Sequence, residues 1–188
     1  MIIGTSAGGA PAIRFALDYP DRTRGLVLIG STAPIDRPVK GPMGPPHTIL
    51  RDSVFWILVR YAPWAFHKLF GIDRADYAAA PSKARRRVDD LLDTLVPVEP
   101  RKLGVHNDER VTNTAMRERH DEYDLETLAV PTLVIHAEDD SLASFEDVEQ
   151  MVDQIPDVEF RRYETGGHLV FGHGDEIRQA VSESVMSR

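Results

Sequence analysis

The sequence predicts an α/β protein built on a parallel sheet, and three observations carry that prediction. Gly25-Leu26-Val27-Leu28-Ile29-Gly30 is a continuous apolar run between glycines, the pattern of a strand buried on both faces. The apolar stub Met1-Ile2-Ile3, a helical segment and this strand follow one another within thirty residues. That order predicts a βαβ unit with a right-handed crossover. The same pattern resumes near the other end of the chain, where Val130-Pro131-Thr132-Leu133-Val134-Ile135-His136 reads as a strand opened by proline.

Each element has a local cause. The first helix is expected from about Ala10 to Tyr19. Pro11 is tolerated in its first turn, Ile13, Ala16 and Leu17 form the buried stripe, and Pro20 stops it. After the first buried strand the character changes. Proline and glycine crowd Pro34 to Pro46, and helical periods follow. Leu50, Val54, Ile57, Leu58 and Tyr61 are expected on one face of a helix. Val88, Leu91, Leu92 and Leu95 are expected on another, after Ser82 as N-cap. Asn107 is expected to cap a third, more polar helix running to about His120. A loop holding Glu138, Asp139 and Asp140 follows the resumed strand, then a helix near Phe145 to Gln154. Val158 to Tyr163 alternates like a strand with one face partly exposed. Gly166-Gly167-His168 reads as a loop, and a last helix runs from about Asp175 to Met186.

Bulk properties narrow the function. The chain has 188 residues, 42% of them hydrophobic, with a mean hydropathy of −0.28, which suits a soluble domain with a real core. The densest apolar stretch, Val54 to Phe70, is broken by Arg60, Pro63, His67 and Lys68, so no membrane span is expected. No signal-peptide pattern opens the sequence, and a cytoplasmic location is the expectation. Cysteine is absent, which removes disulfides, thiol catalysis and thiolate metal sites. A net charge of −8 argues against nucleic-acid binding. The one basic run, Lys83-Ala84-Arg85-Arg86-Arg87, is followed by Asp89 and Asp90 and reads as a solvated helix face.

The chemistry is concentrated at three places. Gly4-Thr5-Ser6-Ala7-Gly8 matches G-x-S-x-G between a strand and a helix, against about 0.04 matches expected by chance from this composition. Such a turn forces the serine backbone into strain, with glycines two residues to either side letting strand and helix pass closely. It sets the Ser6 hydroxyl at a helix N-terminus, where the Ala7 N–H would donate to an oxyanion. A glycine-rich or phosphate-binding turn with an incidental serine is the alternative. The serine needs a base. His47, His67, His106 and His120 lie in the helical region, His136 lies within a strand, and His173 sits near a helix start. His168, in a loop at the sheet edge that also carries Ser6, is the candidate. The orienting carboxylate is expected after a strand between serine and histidine, which leaves Glu138, Asp139 and Asp140. An acidic turn capping the next helix is their bland alternative, a role Glu146 and Asp147 would also fill. His136 and Glu138 share a strand face, but no matching ligand set accompanies them, and no metal is expected.

The stretches GTSAGGAPAIRFALDYPDRTRGLVLIGS, LAVPTLVIHAEDDSLAS and ETGGHLVF resemble the α/β-hydrolase superfamily, at both ends of the chain. In that family the acid-bearing strand reads VPTLVI-H-G-x-x-D-x-x-x-P, which selects Asp140; Ala137 replaces the glycine and Ser144 the proline. The resemblance implies a Ser6–Asp140–His168 triad with Ala7 as oxyanion donor and no cofactor. It implies ester or C–C hydrolysis, or a perhydrolase-like side activity; dehalogenases and epoxide hydrolases of the family carry aspartate in place of Ser6, and the apolar helices of the middle region point to a lipophilic small-molecule substrate. Residues 1–34 and 125–188 would be part of the hydrolase core, with about four parallel strands, and 35–124 a helical cap. Trp56, Trp64, Phe66 and Phe70 would line the pocket under it, core packing being the alternative. The resemblance also implies that the chain opens at the fifth of eight strands, without the loop that donates the second oxyanion N–H. Met1-Ile2-Ile3 would then be an open edge, inviting a homodimer or a complementing chain. Three readings follow: an enzyme whose true start lies upstream, an impaired fragment, or a binding protein that keeps the architecture.

Overall fold

A computed structural model describes residues 1–36 and 49–186. His47 and most of the proline- and glycine-rich stretch therefore lie outside the described residues. Four parallel strands form one sheet in the order β1 (Ile2–Thr5), β2 (Leu26–Ile29), β3 (Thr132–Ala137) and β4 (Val158–Tyr163). The register pairs Ile2 with Leu26, Leu26 with Thr132, and Thr132 with Val158.

The two-residue period of a strand sorts the core into two layers. Leu26, Leu28 and Val134 pack with Ala12, Ile13 and Ala16 of α1 (Gly9–Asp18) and with Val148 and Met151 of α8 (Phe145–Val152). The alternate residues Val27, Leu133 and Ile135 pack on the opposite face with Val170 and with Ala180 of α9 (Gly174–Met186). All six residues of β3 are buried, as the unbroken apolar run requires of an interior strand. The β4 edge carries Glu159, Arg161 and Arg162 instead, a charged border that discourages further pairing. At the other edge β1 pairs, among the described residues, with β2 alone, and Met1 and Ile3 are exposed.

Between β2 and β3 the described chain is helical: α2 (Asp52–Tyr61), α3 (Pro63–Leu69), α4 (Arg74–Ala79), α5 (Ser82–Thr94), α6 (Lys102–Asn107) and α7 (Asn113–Glu118). Phe66, Ile72, Val88 and Leu92 form its core together with Phe171 from beyond β4, and Phe55, Leu58 and Val59 pack against them. The α2 face is thus rotated by one residue from the expected one. Ile57 and Tyr61 are 52% and 70% exposed, because Pro63 starts a second helix and the pair packs through Phe55 and Phe66, ring centroids 5.5 Å apart.

Two expected caps are also corrected. Pro81, in an extended conformation, is the N-cap of α5, and Ser82 is already its first residue. Proline carries no side-chain acceptor, so the N-cap side chain makes no hydrogen bond to the first turn of α5. Asn107 is the last residue of α6 and precedes a further helical stretch, but its φ and ψ are themselves helical (−62° and −45°) and its side chain makes no capping bond. Its amide donates to the Thr112 hydroxyl (3.1 Å) across a π-helical stretch, Asp108–Thr112, that joins α6 to α7. Among the described residues no helix is long and apolar enough to cross a membrane.

The rotated face makes a direct test. Phe66→Ala is expected to lower unfolding free energy by about 3–5 kcal/mol. Ile57→Ala should change it by no more than about 0.5 kcal/mol. Urea unfolding of both variants checks the pair.

Candidate active site

Ser6 directly follows β1 and opens a 3₁₀ turn, Ser6–Gly8, that runs into α1. Its φ is +51°, one of two positive values at non-glycine residues among those described. A serine held there costs of order 1–3 kcal/mol, which the surrounding packing must over-determine. Gly4 is one reason the turn can close: a Cβ there would lie 2.8 Å from both the Ala12 Cβ and the Gly8 carbonyl oxygen. The second close approach is made by Gly9 rather than by Gly8. A side chain at Gly9 would collide with the Ser31 hydroxyl, whereas one at Gly8 would enter open space. The expectation that both motif glycines serve close packing is therefore corrected at Gly8, which sits at φ −68° with room to spare. Ala7 is the second residue of the turn, where backbone N–H groups have no partner within the helix.

His168 lies in a short 3₁₀ turn, Gly167–Leu169, after β4. Gly166 and Gly167 take φ of +128° and +58°, values that glycine adopts without a Cβ penalty. The turn is anchored from three sides. The His168 N–H donates to the Phe70 carbonyl (2.8 Å), and the N–H groups of Gly166 and Gly167 donate to the Asp139 carboxylate (3.2 and 2.8 Å). The imidazole is buried, with Nε2 2.7 Å from the Ser6 Oγ and Nδ1 2.9 Å from Asp140 Oδ2. An ionised carboxylate only accepts, so Nδ1–H donates to Asp140 and Nε2 accepts the Ser6 O–H.

Asp140 is held as firmly as the histidine. Its Oδ1 accepts from the N–H groups of Leu142 (2.8 Å) and Ala143 (3.0 Å), and its side chain is fully buried. Burial alone would raise the carboxyl pKa; the hydrogen bond and charge of His168 and the two backbone donors outweigh it, holding the pKa below the usual value. Of the three acids in this loop, Asp140 meets the histidine, Asp139 ties down the histidine's turn, and Glu138 points outward to Arg162 (3.0 Å). The helix that follows is capped by Ser144, whose hydroxyl accepts from the Asp147 N–H (3.4 Å); the Asp147 carboxylate is 3.7 Å from Arg117.

The structure adds His136, which the sequence places only within a strand. His136 is fully buried on β3, and its Nε2 lies 3.0 Å from the Ala143 carbonyl and 3.3 Å from Asp140 Oδ2. A carbonyl can only accept, so Nε2 carries the proton and faces Asp140 as a further donor. Burial lowers the pKa of His136, with the Ala143 bond and Asp140 opposing, so the ring is neutral at pH 7. The available signal was spacing, since His136 and Asp140 stand four residues apart across the strand end. The sequence does not show the chain folding back to bring their side chains together.

The four aromatic residues expected to line a pocket separate. Phe70 alone stands by the site, its ring centroid 6.5 Å from that of His168 with planes 10° apart. Phe66 is buried in the helical core, and Trp56 and Trp64 are 53% and 63% exposed. The short α2 and α3 have one inward face each, and Phe55, Leu58 and Phe66 occupy it. Other histidines are engaged elsewhere: His67 stacks on Tyr77, His120 Nδ1 lies near the Arg117 carbonyl, and His173 packs on Tyr163. Among the described residues no three His, Asp or Glu side chains are grouped as metal ligands.

Comparison with known proteins fits this architecture. The family described as serine aminopeptidase, S33, matches residues 1–175. This chain belongs to that family, within the α/β-hydrolase superfamily. Solved structures show the same fold. An α/β-hydrolase fold protein from Nakamurella multipartita is 22% identical, with TM-score 0.59, over 97% of this chain and 67% of its own. A bromoperoxidase from Bacillus anthracis is 21% identical, with TM-score 0.62, over 98% and 66%. A thermophilic esterase from Thermogutta terrifontis is 24% identical, with TM-score 0.58, over 98% and 64%. The chain thus spans about two thirds of the length of the structures it matches.

Two measurements probe this geometry. Gly4→Ala should cost about 1–3 kcal/mol through overpacking, while Gly8→Ala stays within about 1 kcal/mol of the parent; thermal unfolding separates them. The unfolded chain protonates His136 below about pH 6.5, but the folded chain does so only at lower pH. Stability is therefore expected to fall as pH drops below about 6.5, by up to about 1.4 kcal/mol per pH unit. His67, also depressed by burial, adds to that slope. His136→Gln, which keeps an amide donor but cannot titrate, should flatten it in urea titrations between about pH 6.5 and 5.

Proposed function

We propose that this chain carries the acyl-transfer site of a serine hydrolase acting on an ester or related carbonyl substrate. The observation that supports the reading best is the continuous hydrogen-bonded series Ser6–His168–Asp140, at 2.7 and 2.9 Å, linking residues far apart in sequence. His168 Nε2 takes the Ser6 proton as Oγ attacks the carbonyl carbon. Asp140 keeps Nδ1–H in place and stabilises the imidazolium that forms. The Ala7 N–H, in the 3₁₀ turn that leads into α1, donates to the oxyanion. His168 then returns the proton to the leaving group, and water repeats the sequence to release the acid.

In this reading the turn at Ser6 is a nucleophile elbow, and its positive φ is the strain that presents the hydroxyl. The segment 35–124, with its described helices α2 to α7, acts as a cap. Supporting that role, the end of α3 touches both loops of the site: the Ser141 hydroxyl donates to the Leu69 carbonyl (2.9 Å), and His168 donates to that of Phe70 (2.8 Å). Phe70 beside the imidazole favours an apolar acyl group. A second reading, a binding module with the same framework and no turnover, draws on the exposed edge that β1 presents among the described residues.

Ser6→Ala is expected to reduce turnover of short p-nitrophenyl esters by at least about 10³-fold while leaving the folded state intact. A fluorophosphonate probe should label the parent at Ser6 and leave the variant unlabelled. An unlabelled, well-folded parent would favour the binding-module reading. Amino acid p-nitroanilides assayed in parallel would show whether amides are also cleaved.

A further inference from the structure

A cavity lies beside the chain that follows the His168 turn. It has a volume of about 260 Å³ and is framed by α5, by α9 and by the chain from Leu169 to Gly174. Ser6, Asp140 and His168 do not line it. Its walls are apolar, with Ala84, Val88 and Leu91 on one side and Leu169, Val170 and Ile177 on the other. The rim is cationic. Lys83 Nζ lies 3.2 Å and Arg87 Nη2 3.9 Å from the Asp175 carboxylate, which Arg178 also contacts. Three cations thus share one carboxylate at the first turn of a thirteen-residue helix, whose N-terminus adds partial positive charge. The Arg87 guanidinium occupies the place where a side chain at Gly174 would begin, so glycine there lets the cation sit against the helix end.

We propose that this cavity binds a monoanion with a short aliphatic tail, a medium-chain carboxylate, with the tail between α5 and α9 and the carboxylate at Lys83 and Arg87. An apolar cleft with a few convergent polar groups is the usual form of a small-ligand site, and this one suits a ligand below drug size. A positive rim in a chain of net charge −8 concentrates an anion at one place. Both cations retain solvent-facing surface, Lys83 at 61% and Arg87 at 44% exposure, so the headgroup meets them without a large desolvation cost. The basic run on α5 therefore has a use beyond a solvated face: two of its members, Lys83 and Arg87, are directed to α9, while Arg85 turns back to the Ala78 carbonyl (3.1 Å).

Isothermal titration of the full chain with octanoate, acetate and octan-1-ol tests the site. Octanoate is expected to bind one to one, with acetate and octan-1-ol at least tenfold weaker, because each lacks half of the recognition. Replacing both exposed cations, Lys83→Ala with Arg87→Ala, should weaken octanoate at least tenfold. Leu91→Trp, which fills the cavity from its partly exposed wall, should abolish it, with circular dichroism confirming that each variant is folded. Lys83, Arg87 and Leu91 lie outside the proposed hydrolytic site, so loss of octanoate binding in these variants separates this cavity from it. The proposal is overturned if octanoate does not bind, if octan-1-ol binds equally well, or if binding survives in both cavity variants.

Discussion

The carboxylate of Asp140 is the point on which the site's geometry depends. It takes the His168 Nδ1–H on one side and the N–H groups of Leu142 and Ala143 on another, and faces the buried Nε2 of His136 at 3.3 Å. A fully buried carboxylate without such donors would protonate. With them it remains an anion that fixes the tautomer and direction of His168, and through His168 the hydrogen bond to Ser6. His136 contributes from within the sheet, which ties the carboxylate to β3 as well as to its own loop.

Backbone strain and glycine placement do complementary work around that anion. Ser6 at φ +51° is held because Gly4 and Gly9 let α1 close over β1 and against Ser31. Gly166 and Gly167 let the histidine turn form, and Asp139 satisfies the two N–H groups that the turn exposes. Adjacent aspartates thus divide the labour: one meets the imidazole, the other secures the loop that presents it. The end of α3 completes the enclosure, since Leu69 and Phe70 offer carbonyl oxygens to the acid loop and the histidine turn respectively. A displacement of the helical region would therefore be felt at both loops. This coupling is what the proposed role of that region as a cap would exploit.

Much of the framework was legible in the sequence because its causes are local or periodic. The strands at 26–29, 132–137 and 158–163 follow from apolar runs and alternation, and α1, α8 and α9 from helical stripes bounded by proline, serine and glycine. The Ser6 turn and the glycines before His168 were legible as well, since each needs residues of special backbone freedom at fixed offsets. Less legible was the helical region. There the amphipathic stripe of α2 was out by one residue and two caps were misplaced, because short helices packed on one another choose their faces by mutual fit. The division of roles among Glu138, Asp139 and Asp140 was open to local reasoning, and resemblance alone selected Asp140.

By itself, then, the sequence determined a parallel α/β framework, a strained serine turn and a histidine on a glycine-rich turn, since each is written in neighbouring residues. Only the tertiary structure decided which acid meets His168, that Asp139 and His136 support the pair, and that Phe70 alone of four aromatic candidates stands at the site. Ser6 and His168 are 162 positions apart, and Asp140 is 28 from His168. Side chains so separated come within 3 Å only through the register of four strands and the closure of the turns at their ends, and neither quantity is encoded in any local stretch of the chain.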